Sequence, residues 1–324
     1  MWSTFKNRWY VAQSTLGCWF DSSAMQDVSL DQEQPKADWF LTLPFVIIHL
    51  LCLTVFWVGF SPIALISAVV LYAVRMFAIT GFYHRYFSHR TFRTTRFWQF
   101  IFALLGNSAA QRGPLWWASY HRLHHKHSDT SADSHSPKVH GFWWSHLGWI
   151  TTRSTFNTPI EEVKDLAKFP ELRFLDRFPS LVPLLLAIII YLLGWILNQG
   201  FPSLGTNGLQ LLVWGFLIST VVLYHSTFMI NSLAHVWGTR RYATNDDSRN
   251  NFFLALITFG EGWHNNHHTF PQSVRQGLFW WEIDITYYVL KLMSWLGIIS
   301  DLKYVQPQRV RSYKLLDANI KSNP

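Results

Sequence analysis

The sequence predicts an all-α, polytopic membrane protein with four transmembrane helices in two hairpins and a helical cap on the cytoplasmic side. Three observations carry that prediction. Four apolar runs are each long enough to cross about 30 Å of hydrocarbon, which takes about 20 residues. Only 14% of the 324 residues are charged, whereas a soluble domain carries about 25%. The basic residues also fall on segments that share one side of the bilayer. A mean hydropathy of +0.09 excludes a chain made of membrane helix alone, so a polar body must lie outside the lipid. Eighteen tryptophans suit a protein with a wide membrane interface, where an apolar ring meets a wet edge.

Taken in order, residues 1–38 are polar, lack the apolar core of a secretory signal and read as a cytoplasmic N-terminal segment. Spans at 39–60 and 61–82 are separated only by the turn signal Gly59-Phe60-Ser61-Pro62. Spans at 180–198 and 209–228 are joined by a short stretch containing Gly and Pro. Each pair therefore reads as a hairpin whose turn is too short to hold a domain. Apolar segments at 97–110 and 278–299 are too short or too charged to span and are expected to lie in the cytoplasmic interface as amphipathic helices. The membrane domain extends over 39–300, and 301–324 reads as a cytoplasmic tail.

Of the 27 Lys and Arg, three precede the first hairpin, Arg75 lies inside it, 13 fall between Arg85 and Arg177, and ten follow Thr239. The hairpin turns contain none, so both termini and the long middle segment are assigned to the cytoplasm. The net charge of +8 then belongs to one face, suited to anionic lipid head groups or an acidic redox partner. It follows membrane topology rather than one helix or arm, which argues against nucleic acid. The two cysteines, Cys18 and Cys52, make no Cys-x-x-Cys, which excludes a zinc knuckle or thioredoxin-type site.

Three histidine boxes stand on the cytoplasmic side. His84 and His89 bracket the exit of the second span; His121, His124 and His125 lie in the middle segment; His264, His267 and His268 follow the fourth span. With 15 histidines in the chain, a chance H-x-x-H-H has a probability of about 10⁻⁴ per start and roughly 0.03 overall, so two copies and a third box are not accidental. Spacing i, i+3, i+4 places three imidazoles on one side of a helical turn, where they can converge on metal. His84 and His89, five apart, diverge on a regular helix, so that helix is expected to end or distort near Tyr86. Thr227, Asn231 and His235 form a polar stripe at the end of the fourth span, and such a stripe is costly unless it faces a site. By position alone, His235 serves equally well as a cap on a helix C-terminus.

Nine nitrogen donors without a nearby cysteine exceed one tetrahedral zinc and point to two ions. Imidazole suits zinc, copper, iron and nickel. A pair of redox irons that activates O₂ explains a site placed against lipid, with a long alkyl chain as substrate. An unactivated C–H bond offers an acid or base no handle, so the oxidising power must come from the metals.

These residues, with Gly141-Phe142-Trp143-Trp144-Ser145-His146, Asn231-Ser232-Leu233-Ala234-His235 and the run from Gly260 to Pro271, resemble the membrane fatty acyl desaturases of the stearoyl-CoA (Δ9) type. The resemblance covers roughly residues 40–300. It implies an oxidoreductase that uses O₂ and two iron ions to insert a cis double bond into a long-chain acyl group. It further implies that His84, His89, His121, His124, His125, His235, His264, His267 and His268 ligate the irons, with Asn231 holding one through a water. Gln111, Trp117 and Thr227 correspond to residues that bend the family's acyl tunnel, while Tyr72 and Met76 are candidates for its far end. The remaining histidines gain no ligand role.

Ser119, Tyr120 and Arg112 depart from residues that contact CoA in the animal enzymes, so the acyl carrier is either CoA held differently or a glycerolipid. Arg112 and Lys138 are the basic residues placed to meet a phosphate. No dinucleotide fingerprint, cysteine cluster or haem module is present. Electrons are therefore expected from a separate carrier: ferredoxin, cytochrome b5 or a flavin reductase system. The expected location is a bacterial inner membrane rather than endoplasmic reticulum. Two rivals remain at this level: a histidine-box lipid or alkane hydroxylase, and a membrane metal-binding or transport protein without catalysis. The second would want polar ligands deep within the spans.

Overall fold

A computed structural model describes residues 17–25 and 36–320; most of the N-terminal segment and the last four residues of the tail lie outside the described residues. The described chain is mostly helical, and four of its helices are long and apolar enough to cross a membrane. They are α1 (Trp39–Val58), α2 (Pro62–Ser88), α5 (Leu181–Gly200) and α6 (Gly208–His235). Between the two pairs lie α3 (Arg96–Asn107) and α4 (Pro114–His127). After α6 come the short α7 (His264–Thr269) and then α8 (Ile285–Trp295). The exception to an all-α fold is one small antiparallel pair, β1 (Arg93–Thr94) with β2 (Ile299–Ser300), in the register Arg93 opposite Ser300.

The chain divides into two compact units. Of the described residues, one comprises those up to 75 with 103–117 and 148–224; the other comprises 76–102, 118–147 and those from 225 onward. In the first unit, α1 begins where the Asp38 side chain accepts from the N–H groups of Phe40 and Leu41, at 2.8 and 3.3 Å, an N-cap that satisfies two orphan donors. No residue of its most apolar window is buried within the protein. An apolar helix that leaves its surface uncovered by protein needs lipid to cover it. Pro62 opens α2, where its missing N–H costs nothing, and Ala64 N donates to Ser61 Oγ at 3.0 Å. Gly194 lets α5 approach the start of α6, because a Cβ there would stand 2.6 Å from the carbonyl oxygen of Asn207.

Arg75 lies midway along α2, and it is fully buried. Its guanidinium donates to Thr220 Oγ1 at 2.6 Å, to Ser219 Oγ, and through Nε to the Leu71 carbonyl at 3.1 Å. It also lies 5.6 Å from the centre of the Phe216 ring. These contacts occupy the fork and keep it away from lipid, which is how an intramembrane cation is tolerated.

Of the two short apolar segments, the second departs from a simple amphipathic reading. The first is α3, with Gln99 buried and accepting from the Tyr86 hydroxyl at 3.0 Å. The second forms a helix only over Ile285–Trp295. Glu282 and Asp284 are fully buried rather than on a wet face. Glu282 is ion-paired to Arg241. Asp284 caps α8 by accepting from Tyr287 N at 2.9 Å and pairs with Arg85 at 2.8 Å. Carboxylates engaged in these contacts cannot also form the polar stripe of an interfacial helix.

Candidate metal centre

The first box sits on a distorted helix, as its spacing requires. From Ala78 to Ser88, α2 widens to a π-helix whose residues are all buried. The distortion thus starts earlier than expected from the spacing alone. Its hydrogen bonds run i to i+5, and the last of them joins His89 N to the carbonyl of His84 at 3.2 Å. On an α-helix, residues five apart lie about 140° apart around the axis. The wider helix brings both rings to one side, with centroids 4.9 Å apart. Arg122, from the second box, donates to the last carbonyls of this segment, Ser88 O at 3.0 Å and Phe87 O at 2.8 Å.

The other two boxes each divide between two clusters. His121 and His125 join His84, His89 and His267; His124 joins His235, His264 and His268; in each cluster, one ring nitrogen per residue lies within 4.8 Å of the others. The reason is angular. At about 100° per residue, positions i and i+4 are close in azimuth, whereas i+3 lies about 100° away from i+4. Box two therefore sends its i and i+4 rings to the first cluster and its i+3 ring to the second. Box three does the reverse. The Nε2 atoms of His84 and His267, and of His235 and His264, are 3.0 Å apart. Those of His89 and His121, and of His125 and His267, are 2.8 Å apart. Nitrogens bound at about 2.1 Å to one ion span edges of about 3 Å.

Short loops hold these rings in place. Gly262 precedes box three where a Cβ would lie 2.1 Å from the Ala255 nitrogen, so no larger residue fits. Between the histidines, Asn265 Oδ1 accepts from Arg241 N and Tyr242 N, both at 2.8 Å. Asn266 Nδ2 donates to the Gln276 carbonyl at 3.0 Å and to Glu282 Oε2 at 2.9 Å. These contacts explain the two asparagines inside the box.

Four carboxylates orient the imidazoles from behind, and the sequence reading assigned a role to none of them. Asp133 lies 2.9 Å from His124 Nδ1, Asp129 lies 2.9 Å from His235 Nδ1, and Asp246 lies 2.8 Å from His268 Nδ1. Glu261 is paired with His84 Nδ1. A metal-ligating histidine almost always gives its other N–H to such a partner. A local signal existed for only some of them: Asp129 and Asp133 follow the second box closely and Glu261 precedes the third, whereas Asp246 lies 22 residues before the ring that it meets. Burial pushes these carboxyls up, but their histidine partners more than reverse it and hold all four below the usual range.

Burial, and then repulsion from neighbouring imidazoles, drives His89, His121, His125, His264 and His267 well below 6.5. His268 falls to about 4, with burial outweighing Asp246. For His124, burial is the largest influence, yet Asp133 and other acids reverse it, so the value rises. Neutral rings are the state that binds metal. His268 Nε2 is buried and has no hydrogen-bond partner among the described residues, while its Nδ1 is held by Asp246. An imidazole fixed by one nitrogen with the other buried and bare fits a metal ligand, so the donor set suits the metals that the sequence implies.

The other site candidates are more dispersed. The α-helical part of α6 ends at Asn231, and α6 finishes in a 3-10 turn at Leu233–His235. The Asn231–His235 stripe is therefore not one regular turn, and the Asn231 carbonyl accepts from Ser145 Oγ at 2.8 Å. Gln111 and Met76 are buried, while Tyr72, Trp117 and Thr227 are half-buried. Tyr72, Gln111 and Trp117 belong to the first unit, Met76 and Thr227 to the second. Two histidines outside the boxes pair with each other: His146 Nε2 lies 3.0 Å from His225 Nδ1, and His146 Nδ1 lies 3.0 Å from Ser232 Oγ.

Comparison with known proteins agrees with this geometry. The family model described as fatty acid desaturase matches residues 60–293. The chain is 38% identical over 280 residues to an acyl-CoA C20 Delta5-desaturase of Anemone leveillei, covering 83% of this chain and 82% of that protein. It is 36% identical over 274 residues to an sn-1 stearoyl-lipid 9-desaturase of Anabaena variabilis, covering 83% and 95%. It is 38% identical over 262 residues to Delta-9 acyl-lipid desaturase 1 of Arabidopsis thaliana, covering 79% and 80%. With membrane-length helices, two convergent histidine clusters and this extent of match, the chain belongs to the fatty acid desaturase family.

Proposed function

We propose that this protein is an O₂-dependent acyl desaturase that places a cis double bond at the Δ9 position of a saturated long chain carried on a glycerolipid. The observation that carries the reading is the convergence of nine imidazoles into two adjacent clusters in a chain with four membrane-length helices. In this reading His84, His89, His121, His125 and His267 hold one iron. His124, His235, His264 and His268 hold the other, with Asn231 contributing through a water. When bound, such a pair supplies the oxidising power that an unactivated C–H bond demands.

The protein's own part is positional. Glu261, Asp129, Asp133 and Asp246 fix the rings to which they are paired. Gln111, Trp117, Thr227, Tyr72 and Met76 are assigned to a bent, dry tunnel that holds one C–C bond in place. Residues 39–300 form the desaturase domain, with two helical hairpins and a cytoplasmic cap bearing the site. Electrons come from a separate carrier (ferredoxin, cytochrome b5 or a flavin reductase system), which the basic face would attract if that carrier is acidic.

Support for a lipid-borne chain comes from the two basic residues set aside for a phosphate. Lys138 is ion-paired with Asp247 at 3.0 Å. Arg112 lies over the Phe156 ring at 4.1 Å and donates to the Phe156 carbonyl. Both are already engaged, which argues against a nucleotide clamp at these positions. The sn-1 stearoyl-lipid 9-desaturase of Anabaena variabilis also aligns over nearly its whole length.

The test is mass spectrometry of lipids from a desaturase-deficient host expressing the chain together with ferredoxin and cytochrome b5. The expected product is cis-Δ9 acyl lipid that requires O₂ and is absent from a His268→Ala control. Unsaturated product appearing first in the acyl-CoA pool would move the carrier to CoA. Hydroxylated chains would move the protein to the hydroxylases, and metal without any lipid change would favour the non-catalytic reading.

A further inference from the structure

The two clusters differ more in what stands behind them than in their ligands. In the second cluster, three of the four rings place Nδ1 on an aspartate: His124 on Asp133 at 2.9 Å, His235 on Asp129 at 2.9 Å and His268 on Asp246 at 2.8 Å. Among the described residues, the ion-pair partners of these three aspartates are imidazoles, without a lysine or arginine. Their remaining acceptor capacity is met by neutral donors. Asp129 accepts from Ser136 Oγ at 2.7 Å and Asp246 from Ser248 N at 3.0 Å.

The first cluster is backed differently. Its carboxylate is Glu261, behind His84. That charge is shared with Arg85, 3.4 Å away, whose guanidinium also meets Asp284 at 2.8 Å. A cation placed in the second cluster thus faces three anions that only imidazoles oppose. A cation in the first faces a single ring-backing carboxylate, Glu261, which has a guanidinium beside it that it shares with Asp284.

We propose that the clusters hold metal unequally: the four-histidine cluster backed by Asp129, Asp133 and Asp246 binds a divalent ion more tightly and fills first. This rests on the two-metal reading above. An outer carboxylate that accepts from a ligating imidazole raises its basicity and is typically worth about 10–100-fold in metal affinity. Three of them act on one cluster. The first cluster has a fifth imidazole, which works in the opposite direction, but an imidazole binds metal as a neutral ligand and brings no negative charge. Asp129, Asp133 and Asp246 are positioning residues in this scheme, because they act through the rings.

The experiment is an anaerobic Co²⁺ titration of metal-free protein in detergent, read by equilibrium dialysis, elemental analysis and the visible spectrum of the bound ion. The first equivalent is expected to bind at least about 10-fold more tightly than the second. Asp246→Asn keeps the shape and removes the charge, and should weaken the first equivalent by about 10–100-fold while leaving the second in place. Glu261→Gln should weaken the second equivalent only. Asp129→Asn is measured in parallel, so that poor folding of one variant does not decide the matter. Selective loss of one equivalent is an effect that general unfolding does not produce. Two equivalents of equal affinity, or equal weakening of both by Asp246→Asn and Asp129→Asn, would overturn the inequality while keeping the two-metal reading. Failure to bind Co²⁺ at all would overturn both.

Discussion

Arg85 Nη2 lies 2.8 Å from Asp284 Oδ1, and both side chains are essentially excluded from solvent. This pair ties the π-helical end of α2 to the start of α8. Asp284 also accepts from Gln276 N at 2.7 Å and caps α8 through Tyr287 N at 2.9 Å. Removing one member of a buried pair strands the other charge, typically at a cost of about 3–5 kcal/mol. Asp284→Ala is therefore expected to lower the thermal midpoint sharply in detergent. An unchanged midpoint would mean that the Arg85 charge has another home.

Single replacements of box histidines should abolish the reaction without unfolding the protein. His121→Ala and His268→Ala remove one ring from different clusters. Each is expected to reduce acyl desaturation by more than about 100-fold, beyond the effect of losing an outer partner. Product analysis and metal content on the same preparations check this. Wild-type product formation by either variant would show that the proposed site is wrong.

Acid should destabilise the metal-free protein. His89, His121, His125, His264 and His267 lie well below 6.5, and His268 lies near 4. Below 6.5 the unfolded chain binds protons at these residues while the folded chain does not, so stability falls as the pH falls. Each such histidine contributes a slope of about 1.4 kcal/mol per pH unit, down to its own folded value. His124, raised above 6.5, works in the opposite direction over the interval between its two values. The depressed aspartates add their own loss only below about pH 4. Thermal melts of metal-free protein at pH 7.5, 6.5 and 5.5 (set by about a unit either side of the free imidazole value) should show most of the loss in the last interval. A flat profile would mean that the rings are not buried neutral.

Arg122 offers a cleaner probe of the first box, since it lies within a histidine motif but supplies no ligand. It donates to the Ser88 and Phe87 carbonyls where the π-segment ends. Arg122→Ala leaves those carbonyls short of a donor, at an expected cost of about 1–3 kcal/mol. Because His89 is the next residue, one equivalent of metal should also bind more weakly. Calorimetry and the Co²⁺ titration measure the two effects, and an intact midpoint with intact binding would refute the role.

The helices and histidine boxes were legible because each is written in local sequence. Four apolar runs of sufficient length and two H-x-x-H-H patterns need no distant partner to be seen, and spacing alone called for a distortion between His84 and His89. The buried roles of Glu282 and Asp284 were not legible: a carboxylate reads as wet until its partners, Arg241 and Arg85, are known to come from far along the chain. The same holds for Asp246, which lies 22 residues before the His268 ring that it orients.

By itself the sequence determined that this is a helical membrane protein of histidine-rich chemistry, since hydrophobic length and ligand type are properties of segments. Only the tertiary structure decided how nine rings divide into groups of five and four. It also decided which acids stand behind which rings. That division depends on helix azimuth, on the widened turn at Ala78–Ser88 and on pairs formed across more than a hundred residues, such as Asp129 with His235. None of these can be read from a segment without its neighbours in space.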